Sequence, residues 1–283
     1  HPKESVLLSR DAGVGKSAVM KTDMSVSQHF IVWKPIENKL NNWFLYYKLQ
    51  ILKPEFERIA IGNTIKTIGL PYFKKLSFYV PLVKEQTRIA NFLSSVDEKL
   101  NLLKEKKALL EDYKKGIMQK IFNQEIRFKD DNGNDFEDWE DRTLSEVSTK
   151  NSSNVSANKI EDNFGEYIIY GASGVLKKVD FYLQENDYIS IIKDGAGVGR
   201  LFYCLGKTSV IGTMEMIKPN EGIHTYFLYC LLNNIDFTAF ITGSTIPHIY
   251  FKDYSKAKCG IPCFEEQTKI ANFLSAIDKK IEL

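Results

Sequence analysis

Between Glu85 and Ile121 the chain carries no proline and a single glycine, Gly116, while apolar residues return at Ile89, Val96, Leu103, Leu110 and Ile117, every seventh position. Phe92 or Leu93, Leu100, Tyr113 and Ile121 fill a neighbouring stripe. This heptad spacing predicts one long helix with a coiled-coil seam. A helix merely packed on a globule fits less well, because ~37 residues at 1.5 Å each make a rod about 55 Å long. Elsewhere the pattern shortens. Tyr167–Tyr170, Tyr188–Ile192, Leu201–Cys204 and Met214–Ile217 are β-branched or aromatic runs between glycine clusters, the punctuation of strands and turns. Tyr226–Asn233 and Asn41–Ile51 are longer aromatic-rich runs without breakers and read as helices.

The chain also repeats itself. Residues 81–102 align without gaps on 262–283 at an offset of 181, with 13 of 22 positions identical around a shared Glu-Gln-Thr-x-Ile-Ala-Asn-Phe-Leu-Ser. Upstream, Gly62-Asn-Thr-Ile65 matches Gly243-Ser-Thr-Ile246, Trp43-Phe-Leu-Tyr46 matches Tyr226-Phe-Leu-Tyr229, and Asp11-Ala-Gly-Val-Gly15 matches Asp194-Gly-Ala-Gly-Val-Gly199. A period this long marks a duplicated domain rather than a solenoid. The expected class is therefore α+β, with two such domains, the first incomplete, joined by the long helix and followed by the start of a second. Ile270, Phe273 and Ile277 repeat the seam in that second helix, and a longer version of it would pair antiparallel with the first. Both copies look cut from a longer two-repeat chain.

Composition narrows the function classes. The 283 residues include 38 Lys plus Arg against 36 Asp plus Glu, so a polyanion surface must be local. No apolar run approaches the ~18 residues of a membrane span, which leaves no membrane partner and a cytoplasmic expectation. Cys204, Cys230, Cys259 and Cys263 fit no common zinc pattern and are expected as buried, reduced thiols. Residues 129–141 hold seven acids and read as a solvated linker, a poor place for DNA.

The order of parts is a variable domain, a Pro-x-x-x-Glu-Gln-x-x-Ile-x-x-x-Leu ending, a long helix, then Trp-Glu and a second variable domain with the same ending. It resembles the specificity subunit of type I restriction-modification systems across essentially the whole chain. The resemblance implies the C-terminal part of a first target recognition domain over 1–80, a central helix over 81–123, the acidic linker over 124–138, a second recognition domain over 139–261 and a distal helix from 262 to 283. It implies a non-catalytic subunit that binds a bipartite double-stranded DNA target and docks methyltransferase and restriction subunits, with the rod as a ruler between half-sites. Self-association through unpaired helices is a further expectation. The competing reading is a coiled-coil scaffold, or inactive fragment, that assembles proteins without reading DNA.

Three loops carry the candidate DNA contacts. Gly13-Val-Gly-Lys16-Ser17 invites a nucleotide-binding reading, but Arg10 stands where a P-loop needs its first glycine, and the repeat copy reads Gly197-Val-Gly-Arg200-Leu201. The structural reading is a glycine turn between strands. The functional one is phosphate contact by Arg10, Lys16, Lys193 and Arg200. The second loop, Gly243–Lys252, offers Ser244, Thr245, His248, Tyr250 and Lys252, and its copy offers Lys66 and Tyr72, with Ile246 and Ile249 expected to anchor it. Otherwise it is a capping turn. The third, Tyr170–Gly174, presents Ser173 or is a plain hairpin turn. Lys104–Lys107 with Lys114-Lys115 reads as a solvated helix face, and Phe92-Leu93 and Phe273-Leu274 read as core first and as partner-docking residues second, Phe92 and Phe273 standing with the seam among the partner candidates. No catalytic constellation, metal cluster or cofactor motif is found among the four histidines or elsewhere, so any chemistry is expected from partners.

Overall fold

The computed structural model describes residues 1–282, which fall into two compact units, the first His1–Lys106 and the second from Lys107 onward. The class is α+β.

In the first unit, β1 (Val6–Ser9) pairs antiparallel with both β2 (Ser17–Val19) and β3 (Phe30–Trp33). Helix α1 (Asn42–Ile59) covers this sheet with Leu45, Leu49 and Phe56, which join Val6 and Leu8 in the core. Asn41 caps it, its Oδ1 accepting from Phe44 N at 3.0 Å. The helix outruns its expected end at Ile51 and passes through Pro54. Leu49 and Phe56 are both fully buried on either side of the proline, so tertiary packing outweighs the lost backbone hydrogen bond. After the short α2 (Leu70–Lys75) comes α3 (Val83–Phe122), 40 residues and about 60 Å long, reaching slightly past the Glu85–Ile121 run.

The second unit opens with β4 (Glu140–Thr143), α4 (Leu144–Val147) and β5 (Ser148–Ser152), followed by the hairpin of β6 (Tyr167–Gly171) and β7 (Gly174–Val179). Next come β8 (Tyr188–Ile192), β9 (Leu201–Cys204), β10 (Ser209–Val210) and β11 (Met214–Pro219). Helix α5 (Thr225–Asn233), α6 (Phe251–Tyr254), β12 (Lys258–Ile261) and α7 (Phe264–Glu282) complete it. The main sheet runs β5-β11-β8-β9, antiparallel throughout, with every residue of β8 buried. A smaller sheet, β10-β6-β7, and the pair β12-β4 flank it.

The repeated Gln of each helix motif has one job in both units. Gln86 accepts from Asn41 N (2.9 Å) and donates to Lys39 O and Pro81 O. Gln267 accepts from His224 N (2.9 Å) and donates to Gly222 O and Pro262 O. Each is 1% exposed and clasps the start of its helix to the cap of the aromatic helix before it, α1 or α5.

The seam residues divide. Ile270, Leu274 and Ile277 on α7 are buried with Ile121 and partly buried Ile117. Leu110 is half-buried, and Phe273 packs edge-to-face against Phe128 with ring centroids 5.6 Å apart. In the first unit Ile89 is half-buried, while Phe92, Val96 and Leu103 are exposed. Of the two readings of Phe92, the core one is thus corrected: its ring is 67% exposed.

Three further expectations change. Lys114 does not lie on a solvated face: its Nζ donates to Asp278 Oδ1 and Oδ2 at 2.6 and 2.7 Å. Cys263 is exposed, because it precedes α7 on the surface, whereas the other three thiols are buried. The acidic connector keeps its acids in solvent, yet its ends are pinned. Arg127 forks onto Glu266 at 2.9 Å through both Nε and Nη2, and Trp139 Nε1 adds a third donor at 3.0 Å. Glu266 is wholly buried by this clasp, and its hydrogen bond holds the Arg127 guanidinium above its ordinary pKa.

Candidate nucleic-acid interface

The glycine turn of the first unit links β1 to β2, two antiparallel strands. A strand follows Lys16 where a P-loop requires a helix, so the nucleotide-binding reading falls with the fold. The turn is closed by Gly15 N donating to Ser9 O (3.0 Å) and Lys16 N donating to Gly13 O (3.2 Å). Gly15 has φ +82°, and a Cβ there would stand 2.8 Å from Lys53 Cγ, so α1 can pass close only over a glycine.

The two candidate loops of each unit meet. In the first, Asp11 bridges Thr67 and Ile68 N donates to Arg10 O at 2.9 Å. In the second, Asp194 bridges His248, Gly195 N donates to Pro247 O at 2.8 Å, and Ile249 N donates to Lys193 O at 3.0 Å. Residues roughly fifty apart in sequence are thereby held side by side twice over. The third loop of the second unit, the β6–β7 turn, joins through Arg200 Nη1, which reaches Ala172 O at 3.5 Å. Ser173 stands exposed on that turn.

The paired loops of the first unit wall a groove of about 580 Å³ lined by Lys16, Lys53, Thr64, Ile65 and Lys66 among others. Lys53 comes from α1, and nothing in its sequence context marked it. Three buried polar atoms at this junction, Arg10 Nε, Asp11 Oδ1 and Thr67 Oγ1, have no hydrogen-bond partner. Such atoms cost free energy unless something binds them. Tyr72 turns away: its ring packs on Phe56 and Phe73, and its hydroxyl donates to Glu55 at 3.2 Å. In the second unit Ser244, Thr245, Tyr250, Lys252 and Arg200 are exposed, and Lys193 and His248 are half-buried. The His248 and Tyr250 rings lie 4.9 Å apart, with Lys252 Nζ 5.2 Å from the Tyr250 centroid.

One expectation about this loop is overturned. Ile249 is an anchor at 1% exposure, but Ile246 is 63% exposed, and in the first unit Ile68 is buried while Ile65 is 62% exposed. The cause lies in the turn. Gly243 (φ +88°) folds back so that a Cβ would sit 2.5 Å from Ile246 O, and Gly62 (φ +136°) does the same to Ile65 O at 2.2 Å. With that carbonyl held inward, the isoleucine side chain projects outward. The shared Gly-x-Thr-Ile spacing was the available signal, and it pointed to the loop without giving the direction of the side chain.

A family model described as the type I restriction modification DNA specificity domain matches residues 1–112 and 136–283. The chain belongs to that family. Its members include the type I restriction enzyme MjaVIII specificity subunit of Methanocaldococcus jannaschii, 26% identical over 87% of this chain and 66% of that one. The putative MjaX specificity subunit of the same organism is 27% identical over 44% of this chain and 30% of its own length. The chain therefore spans from about a third to two thirds of the curated relatives it matches. Among solved structures, the type I restriction-modification S subunit from M. genitalium shares the fold with a TM-score of 0.74, at 20% identity over 99% of this chain and 78% of that one. No helix among the described residues of this family member is long and apolar enough to cross a membrane.

Proposed function

We propose that the chain is a non-catalytic DNA-recognition subunit of a type I restriction-modification system, in which each unit reads one part of a bipartite double-stranded target. The observation that carries this reading is the duplicated junction of two glycine loops, which puts cations, hydroxyls and an outward isoleucine together in both units. Arg10, Lys16, Lys66, Lys193, Arg200 and Lys252 contact backbone phosphates. Ser173, Ser244, Thr245, His248 and Tyr250 face base edges, and Ile65 and Ile246 are apolar contacts for a thymine methyl or a base step. Tyr72 contributes only by holding its loop. Methylation and cleavage belong to methyltransferase and restriction subunits that dock on this one, with the helical segments around Ile89–Ile117 and Ile270–Ile277 as their support. A cytoplasmic setting follows from that role.

Duplex binding by the chain assembled with a type I methyltransferase subunit tests the loop assignment. Lys193→Ala with Lys252→Ala should lower affinity and flatten the dependence of log K on log salt by about 0.9 for each lost phosphate contact. An unchanged slope overturns the loop assignment.

A further inference from the structure

The two glycine-loop junctions agree in backbone and differ in charge. Residues 1–106 carry 17 Lys plus Arg against 10 Asp plus Glu, and residues 107–283 carry 21 against 26. Leaving out the acidic connector 129–141, the second unit still only balances, 20 against 19. The cationic excess therefore belongs to the first unit, and a field of one sign concentrates a polyanion there.

That excess has a focus. The glycine turn between β1 and β2, helix α1 and the 62–67 loop each deliver one lysine, Lys16, Lys53 and Lys66, to the groove of about 580 Å³. Lys16 folds back over its own turn, where a Cβ on Gly13 would meet its Cδ at 3.4 Å and its Nζ at 3.8 Å. Among the described residues Lys53 alone of the three pairs with an acid, Glu57 Oε1 at 3.6 Å, and the two side chains are 38% and 56% exposed. An i,i+4 pair that open to water is weak and easily exchanged for another anion.

The second unit builds the same turn without this clamp. A Cβ on Gly197 would meet Arg200 Nη2 at 3.4 Å, so Arg200 takes the place of Lys16, but its Nη1 reaches to Ala172 O. Helix α5 stops at Asn233, whereas α1 runs on through Pro54 to Ile59, and this longer helix lays the stem of Lys53 across Gly15. Over Gly199, the counterpart of Gly15, stands Phe237, its Cβ 3.0 Å from where a glycine Cβ would be. Pro247 occupies the loop position of Lys66. Of the three groove cations the second unit keeps one.

We infer that the Lys16–Lys53–Lys66 groove seats a run of DNA backbone, with Lys53 as a phosphate contact that commits it, so that the first unit holds the duplex by a sequence-independent clamp the second unit lacks. This rests on the DNA-recognition reading above and assigns a further residue and task to the same site. Lysine suits that task, because an ammonium on a flexible stem is a point charge that meets phosphate oxygens and ignores the base. Glu57 competes with phosphate for Lys53.

Duplex binding by the chain assembled with a type I methyltransferase subunit, measured across a range of salt, tests this. Lys53→Met keeps the aliphatic stem that crosses Gly15 and removes the charge. It should weaken binding about tenfold, lower the slope of log K against log salt by about 0.9 and leave the selected sequence unchanged. Lys53→Arg should restore most of the affinity. Glu57→Gln should bind more tightly than the parent, the opposite of what a general loosening of α1 produces. Lys21→Met, beyond the end of the β1–β2 hairpin remote from the glycine turn, removes the same charge outside the groove and should change the slope much less. A complex that binds and selects its duplex yet is indifferent to Lys53→Met, or loses as much slope from Lys21→Met, overturns the clamp and leaves the DNA-recognition reading standing. An assembled complex that binds no duplex overturns both.

Discussion

In the second unit Glu266 is buried under Arg127 and Trp139, Leu274 and Ile277 are covered, and Asp278 holds a lysine. In the first unit the same positions of the duplicated motif, Glu85, Leu93, Val96 and Asp97, range from half-buried to exposed. The glutamines beside these acids, Gln86 and Gln267, make identical clasps in both units. A repeated sequence thus carries two kinds of information. Contacts made within the repeat, from helix start to aromatic helix cap, are reproduced wherever the motif occurs. Contacts supplied by another segment, such as Arg127, Trp139 and Lys114, exist only where that segment is present, and identical residues then differ completely in burial and energetic weight.

The largest expected contrast lies at the glutamates. Glu266→Ala strands the Arg127 fork and removes the carboxylate from a wholly buried place, so the second unit should lose about 3–5 kcal/mol. Glu85→Ala, on an exposed residue, should stay within about 0.5 kcal/mol. Denaturant unfolding followed by Trp139 for the second unit, and by Trp33 and Trp43 for the first, separates the two. Equal losses at both positions would break the comparison.

A smaller contrast concerns the helix caps. Asn41 caps α1 with an amide oxygen, which does not titrate, whereas His224 caps α5 with Nδ1, which accepts from Tyr226 N at 3.2 Å and Phe227 N at 3.4 Å. Burial pushes the His224 pKa below its ordinary value, so the neutral ring is the one the fold favours. Because the folded pKa is the lower one, the stabilisation is complete above the unfolded value of about 6.5 and is lost as pH falls through the folded value. His224→Asn should remove that acid sensitivity from the second unit and leave the first unchanged. Parallel acid titrations of unfolding midpoint for the two caps check this, and an undiminished slope in the variant would contradict it.

Much of this was legible in the sequence, and the failures have physical causes. The long helix showed because heptad spacing is a local property, and the duplication showed because the motif around Glu85 and Glu266 is nearly unchanged. Strand β5, Ser148–Ser152, is wholly polar and exists through its pairing with β11, so no hydrophobic pattern announced it. Lys114 looked like any lysine in a charged run, since its distinction is Asp278, 164 residues away. Of the candidate interface, the loops and their cations were readable from glycine spacing and the repeat. The outward turn of Ile65 and Ile246, the inward turn of Tyr72 and the arrival of Lys53 from α1 were not. Each depends on a backbone direction or a neighbour that no local window contains.

The central claim is that the two junctions of glycine loops read two separate stretches of DNA. Selection from random duplexes by the chain assembled with a type I methyltransferase subunit tests it most directly. The expected result is enrichment of two short sequence blocks separated by an unspecified spacer of fixed length, with Ser244→Ala and His248→Ala relaxing one block and Lys66→Ala weakening binding without changing which bases are chosen. Enrichment of a single contiguous block, or none from an assembled complex, would contradict it.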